Sequence, residues 1–293
     1  MLTDNTQMFE RDDFGADLDD QAILEASKFD VNQVTLKISK VVEMSELNIQ
    51  KLFEIFNQYK FVILECNPLP NPKENLLALE KIFGSIKKSK RSEVDGIIPV
   101  ENLHNSSLAK TNVSTTNTIH LMHTDGSAEI DPPKIVALQC EIPSHNGGLS
   151  QIICAESIYE YLRKNHFQEL QVLFINPLTV TRVEQTASRP IFVEQEGKIS
   201  ITFRTIRKDH VSIEIPSQIK KVYNIINNYV NNPKNQLIFK LKAHQILILD
   251  NTGVLHGRTS FPENEFRKLN KLWFDGISEY SHRLQLGFMS KFK

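Results

Sequence analysis

Asp250-Asn251-Thr252-Gly253-Val254-Leu255-His256-Gly257-Arg258, read together with the earlier His123-Thr124-Asp125, decides how this chain folds. Side chains at i and i+2 of a strand point the same way. An extended segment therefore aims His123 and Asp125 into one cavity. A further imidazole, His256, follows 133 residues later (256 − 123), so two distant strands have to meet. Two imidazoles and one carboxylate, with the remaining positions open, make the facial grip of non-heme Fe(II) centres. With a bound water the same set is also a zinc pattern. The pair His-x-acid is weak alone, since 9 His and 35 acidic residues in 293 yield about one by chance (9 × 35/293). The surroundings of both halves carry the weight.

From Ile119 onward, short β-rich segments follow one another: 135–140, 149–154, 178–183, 199–203, 211–215, 237–241, 246–249, 271–274 and 284–288. Turn residues such as Pro143, Gly147-Gly148, Pro177 and Gly197 separate many of them. Many short strands with such turns predict a sandwich or barrel. Helices interrupt the pattern. In 45–59, Ile49, Leu52, Phe53 and Phe56 keep i, i+3, i+4, i+7 spacing. A second helix is expected over 74–83, ended by Gly84, a third near 155–163 and a fourth over 217–231. Residues 87–118 carry a local basic run and then a polar stretch without period, which reads as a loop beside a site. The expected fold class is mainly β with helices: a double-stranded β-helix, or jelly roll, with flanking α-helices. Residues 1–30 form an acidic N-terminal arm, and 31–293 a single jelly-roll domain.

The net charge of −1 gives no reason to expect nucleic acid or an anionic membrane as partner. No run approaches the ~20 apolar residues of a membrane span. The N-terminus lacks the basic and apolar regions of a signal peptide. Cys66, Cys140 and Cys154 form neither a Cys-x-x-Cys pair nor a disulfide framework, so a reducing, cytoplasmic setting is expected. The oligomeric state is left open.

Both halves then have to be taken with their flanks. One reads His123-Thr124-Asp125-Gly126, Pro132-Pro133, and Pro143 through Gly147-Gly148-Leu149-Ser150. The other reads Asp250-Asn251, Leu255-His256-Gly257-Arg258-Thr259-Ser260-Phe261, Arg267-Lys268-Leu269 and Leu272-Trp273. Together they resemble the taurine dioxygenase-like family of Fe(II)- and 2-oxoglutarate-dependent oxygenases, which has γ-butyrobetaine hydroxylase-like and clavaminate synthase-like members. The resemblance covers about residues 45–290. It implies a jelly roll, Fe(II), and 2-oxoglutarate and O2 as cosubstrates.

Residue by residue, the resemblance makes His123, Asp125 and His256 the catalytic metal ligands. It makes Arg267, 11 residues after His256, the anchor of the far carboxylate of 2-oxoglutarate. A guanidinium fork suits that task better than a point charge. Ser150 stands where the family usually has Thr beside that carboxylate. Lys271 replaces a second Arg that many members carry and that often faces substrate. Further substrate candidates are Arg258, Trp273, Arg204 and His120; the last needs a twist or bulge, being three residues from His123. Asn251 is read as shaping the turn before the ligand strand. A carboxylate at 125 argues against halogenation, which needs that coordination slot. The implied reaction oxidises, by hydroxylation first, an unactivated C–H bond of a small polar molecule such as an amino acid or natural-product intermediate, releasing succinate and CO2. Desaturation or cyclisation on the same cofactors and a zinc-dependent jelly-roll hydrolase or isomerase are the alternatives.

Overall fold

In the computed structural model, residues 29–102, 113–206 and 211–290 are described. The expected acidic arm falls almost wholly outside them. The larger sheet has the order β1 (Thr35–Ile38), β2 (Phe61–Cys66), β13 (Gln245–Asp250), β5 (Ile135–Ile142), β15 (Lys268–Phe274), β3 (Ile98–Glu101). Facing it is a four-stranded sheet in the order β12 (Leu237–Phe239), β6 (Ser150–Cys154), β14 (Val254–Arg258), β4 (His120–His123). Two three-stranded sheets complete the set. One holds β9 (Phe192–Gln195), β10 (Lys198–Ile201) and β16 (Phe288–Met289); the other holds β7 (Pro177–Arg182), β8 (Gln185–Pro190) and β11 (Ser212–Glu214).

Strand alternation sorts the side chains into layers. Val136, Leu247, Leu249, Leu269 and Trp273 of the large sheet meet Ile152, Val254 and Phe239 of the small one in a shared inner core. Their sequence neighbours Ile135, Ala137, Ile246, Ile248, Leu272 and Phe274 point outward. There they bury Leu52, Phe53 and Phe56 of the helix Glu46–Tyr59. On the outer side of the small sheet, Ile153 and Leu255 pack with Ile158, Tyr159 and Leu162 of the helix Ala155–Asn165 and Val222, Tyr223 and Ile226 of the helix Ser217–Val230. Two sheets face to face with helices outside are the double-stranded β-helix that the strand pattern predicts.

The helix Glu46–Tyr59 starts at Ser45, whose Oγ accepts from Asn48 N, and stops at Lys60 in the left-handed region, φ 66°. The expected helix over 74–83 is two short ones, Lys73–Leu77 and Glu80–Phe83, neither with a side-chain N-cap. The stretch 87–118 is not all loop. Ile98–Glu101 pairs with Lys268–Lys271 as the edge strand β3. The expected strand over 284–288 shrinks to β16, because Gly287 turns the chain at φ 67° and only Phe288 and Met289 reach β10. β8 and β9 were not expected; both are largely exposed, so alternation gave little signal. No helix among the described residues is long and apolar enough to cross a membrane.

Candidate active site

Inner-face parity fixes the chemistry. In β14, Val254 faces the inner core, so His256 and Arg258 share its side. In β6, Ile152 faces inward, and so does Ser150. In β15, Leu269 and Trp273 face inward; Lys271 lies between them and Arg267 two residues before. Polar residues of three strands thus gather at one end of the inner face.

β4 and β14 pair His123 with His256 and His120 with Arg258. Three steps on one strand against two on the other make a β-bulge. The bulge turns His120 onto the His123 side, and the two rings stack at 4.0 Å between centroids. The His123 and His256 rings are 4.4 Å apart. Gly257 makes this approach possible, since a Cβ there would lie 2.7 Å from the His120 carbonyl oxygen and 2.9 Å from Met122 Sδ.

Asp125 sits just past the end of β4. Asn251 holds its backbone from both sides: Asp125 N donates to Asn251 Oδ1 (2.8 Å), and Asn251 Nδ2 donates to Asp125 O (3.0 Å) and Pro133 O (2.8 Å). Asn251 therefore does more than shape its own turn. Asp250, fully buried, accepts from Thr252 and from Gly287 N (2.8 Å) and locks that turn.

His123, Asp125 and His256 are 1%, 5% and 8% exposed, and one potential ligand atom of each lies within 4.8 Å of the others. The His123 Nδ1–H faces the Leu121 carbonyl oxygen at 2.8 Å, which leaves a lone pair on Nε2. That Nε2 and the Nδ1 of His256 are buried without a hydrogen-bond partner. Buried polar atoms are rarely left so. Burial, with His123 next, brings the His256 imidazole down to about 3, and burial lowers His123 too, so both are neutral donors. Burial would raise the Asp125 carboxyl, but Lys271 and then His123 hold it well below the usual carboxylate range. Two neutral imidazoles and one carboxylate around unpartnered nitrogens fit a divalent cation.

The second oxygen of Asp125 is engaged by the protein. Lys271 Nζ donates to Oδ2 at 2.7 Å and Trp273 Nε1 at 2.9 Å, while Oδ1 lies 3.5 Å from His123 Nε2. Oδ1 is thus the oxygen turned toward His123. Sequence alone suggested substrate roles for Lys271 and Trp273; in the structure the polar atoms of both donate to Asp125.

A cavity of about 550 Å³, its open mouth included, runs from His120, His123 and His256 to Ser150 and Arg267. Arg267 is 5% exposed, and burial brings it down to about 10. Among the described residues no carboxylate pairs with it. Its stem rests on Gly148, φ 64°, where a Cβ would be 3.1 Å from Arg267 Cδ and Nε. A buried guanidinium facing a cavity without its own acid is a receptor for an anion. Arg258 lines the same cavity; it donates to the carbonyl oxygens of Thr118 and of Thr116 (2.9 Å) and lies over the Phe261 ring, which makes it a brace for residues 116–118. Arg204 pairs by backbone bridge with His123, and its Nε donates to Ser127 Oγ (3.2 Å).

Sequence reasoning named the three clustered residues, Ser150 and Arg267, but missed Asn251 as the clamp of Asp125 and Gly257 as the close-approach point. The clamp had a signal in the Asp250-Asn251 pair.

The model of the family "Taurine catabolism dioxygenase TauD, TfdA family" matches residues 22–273. Trimethyllysine dioxygenase of Meyerozyma guilliermondii is 27% identical over 170 residues, covering 53% of this chain and 42% of that protein. Human gamma-butyrobetaine dioxygenase is 25% identical over 163 residues, covering 51% and 42%. The chain thus matches less than half the length of either relative. A crystal structure of asparagine oxygenase in complex with Fe(II), 3-hydroxyasparagine and succinate superposes with a TM-score of 0.60 at 10% identity, covering 88% of this chain and 91% of that one; at that identity the likeness is one of fold. With a model that matches well over half of its 293 residues, the chain belongs to the TauD, TfdA family of taurine catabolism dioxygenases.

Proposed function

We propose that this protein is an Fe(II)- and 2-oxoglutarate-dependent dioxygenase that hydroxylates a C–H bond of a small polar molecule. The observation that carries the reading is the buried trio His123, Asp125 and His256, with two ring nitrogens left without a partner. His123, Asp125 Oδ1 and His256 would hold the iron. When bound, iron with 2-oxoglutarate and O2 supplies the oxidising power for C–H cleavage, with succinate and CO2 as coproducts.

The chain's own residues do the positioning. Arg267 and Ser150 would take the far carboxylate of 2-oxoglutarate at their end of the cavity, and the guanidinium would donate two parallel hydrogen bonds there. Phe261 lies beside that end, with the Arg267 guanidinium 5.9 Å from its ring centre. Lys271 and Trp273 hold Asp125 Oδ2, which would leave Oδ1 for the metal, and the Leu121 carbonyl sets the His123 tautomer. The neutral His120 ring, stacked on His123 at the cavity wall, would shape the substrate side.

The relatives named above act, by their names, on trimethyllysine and gamma-butyrobetaine. These favour a small polar substrate. A zinc hydrolase would have no use for an acid-free buried Arg267, which argues for the oxygenase. Three free cysteines fit a reducing, cytoplasmic setting. The test is succinate release in the presence of Fe(II), 2-oxoglutarate and a panel of amino acids and related metabolites. Substrate-stimulated succinate supports the reading; turnover that persists with Zn(II) in place of Fe(II) overturns it.

A further inference from the structure

Arg267 directly precedes β15 of the large sheet, and Ser150 opens β6 of the small one. The two strands are not paired with each other. The spacing of the two side chains is therefore set by the loops that lead into them, 143–149 and 259–267. Backbone contacts join those loops. Gly148 N donates to Ser260 O (2.8 Å), Leu149 N to Thr259 Oγ1 (2.9 Å) and Thr259 N to Leu149 O (3.0 Å).

Glu265 adds a charge to this seam. Its half-buried carboxylate accepts from His145 N (2.5 Å), from Asn146 N (3.1 Å to either oxygen) and from Asn146 Nδ2 (3.0 Å), across 120 and 119 residues of sequence. Such charge-assisted bonds are the strong ones, and a carboxylate has room for several. A turn presents the acid: Glu265 N donates to Pro262 O (3.1 Å). Lys240 Nζ donates to the carbonyl oxygens of Gly147 and His145 (3.3 Å). The turn 145–147 is thus held by a carboxylate on its N–H groups and by an ammonium on its carbonyls. The next residue, Gly148, is the one that meets the Arg267 stem. Glu265 is also the acid nearest Arg267 in sequence, two residues away (267 − 265). With its oxygens engaged by the 145–146 backbone, it makes no ion pair with Arg267 and leaves that guanidinium for an external anion.

We propose that Glu265 is a positioning residue for 2-oxoglutarate: it fixes the Gly147-Gly148 turn against Arg267 and so sets the spacing of Arg267 from Ser150. Glu265 does not line the cavity, so it acts through Arg267 and not by touching the cosubstrate. Small displacements matter here, since misplacing a group by ~1 Å from a distance can cost ~100-fold. This rests on the oxygenase reading, which gives the far carboxylate of 2-oxoglutarate to Arg267 and Ser150.

The test titrates 2-oxoglutarate into protein loaded anaerobically with Fe(II), read by the visible charge-transfer absorption of the iron–keto-acid chelate. Wild type, Glu265→Ala, Arg267→Gln and the double variant form a cycle. Glu265→Ala should bind 2-oxoglutarate about tenfold more weakly, well inside what a misplaced group costs. Its Fe(II) affinity, titrated without cosubstrate, should equal that of wild type. Glu265→Gln, which keeps one acceptor oxygen and loses the charge, should fall between the two. On the Arg267→Gln background the further loss from Glu265→Ala should stay below about twofold, because coupled residues are not additive. Wild-type 2-oxoglutarate affinity in Glu265→Ala overturns the proposal. So does an equal loss of Fe(II) affinity, or a loss repeated in full on the Arg267→Gln background, since either marks a residue that only supports the fold. Wild-type protein that takes up Fe(II) and gives no band with 2-oxoglutarate overturns the oxygenase reading, and this proposal with it.

Discussion

Lys271 Nζ lies 2.7 Å from Asp125 Oδ2, across 146 residues of sequence, in an ion pair whose two side chains are 5% and 6% exposed. A buried ammonium needs such a partner, and burial still brings Lys271 down to about 8 against the pull of Asp125. The pair gives the carboxylate a fixed orientation, with Trp273 Nε1 as second donor. Removing a group that orients a metal ligand costs ~10–100-fold in metal affinity. Lys271→Met should therefore weaken Fe(II) binding by that factor in an anaerobic titration, and Trp273→Phe by less. Unchanged affinity in Lys271→Met would show that Asp125 does not depend on this contact.

Asn251 should prove a stability residue. Asn251→Leu leaves Asp125 N, Asp125 O and Pro133 O without the partners they now have. Unsatisfied buried polar groups cost roughly 1–3 kcal/mol each before relaxation. A loss of about 3 kcal/mol is expected in urea denaturation of the metal-free protein. A change under about 0.5 kcal/mol, the range of neutral surface changes, would contradict the clamp.

Gly148→Ala separates the cosubstrate site from the metal site. The new Cβ would strike Ser144 Oγ and crowd the Arg267 stem, at a backbone position of φ 64°. The KM for 2-oxoglutarate should rise about tenfold, the effect of a shift of ~1.4 kcal/mol, while Fe(II) affinity holds. An equal fall in both would mean that the turn supports the whole end of the sandwich rather than Arg267.

Arg267→Gln keeps a donor but removes the fork and the charge. Hydrogen bonds to charged groups contribute ~1.5–3 kcal/mol, so 2-oxoglutarate should bind roughly 10–100-fold more weakly in calorimetry. Ser150→Ala should cost less, since it removes one neutral donor. Wild-type affinity in Arg267→Gln would place the far carboxylate elsewhere.

These residues differ in how far the sequence exposed them. His123, Asp125 and His256 were legible because the motifs flanking both halves resemble those of a known family, while the inner and outer core of β5, β13 and β15 follows from strand alternation. The Lys271–Asp125 and Asn251–Asp125 contacts were not, because each joins segments more than 120 residues apart and depends on which strands become neighbours. His120 joined the site through a bulge, which belongs to a pair of strands and has no signature in either one. β3 was hidden because its short apolar run, broken by Pro99, sits inside an otherwise polar stretch; it is a strand through its pairing with the edge of β15. The helix expected over 74–83 broke near Ala78 and Leu79, where Leu79 is buried, Ala78 packs half-buried against the core and no side-chain cap marks the break.

The central claim is that His123, Asp125 and His256 together hold an iron to which 2-oxoglutarate adds, with Arg267 behind it. Anaerobic addition of Fe(II) and then 2-oxoglutarate, followed by visible spectroscopy, tests it most directly. Wild-type protein should develop the charge-transfer band at one iron per chain, and His256→Ala should not. A band of wild-type intensity in His256→Ala, or none in the wild type, would contradict the account.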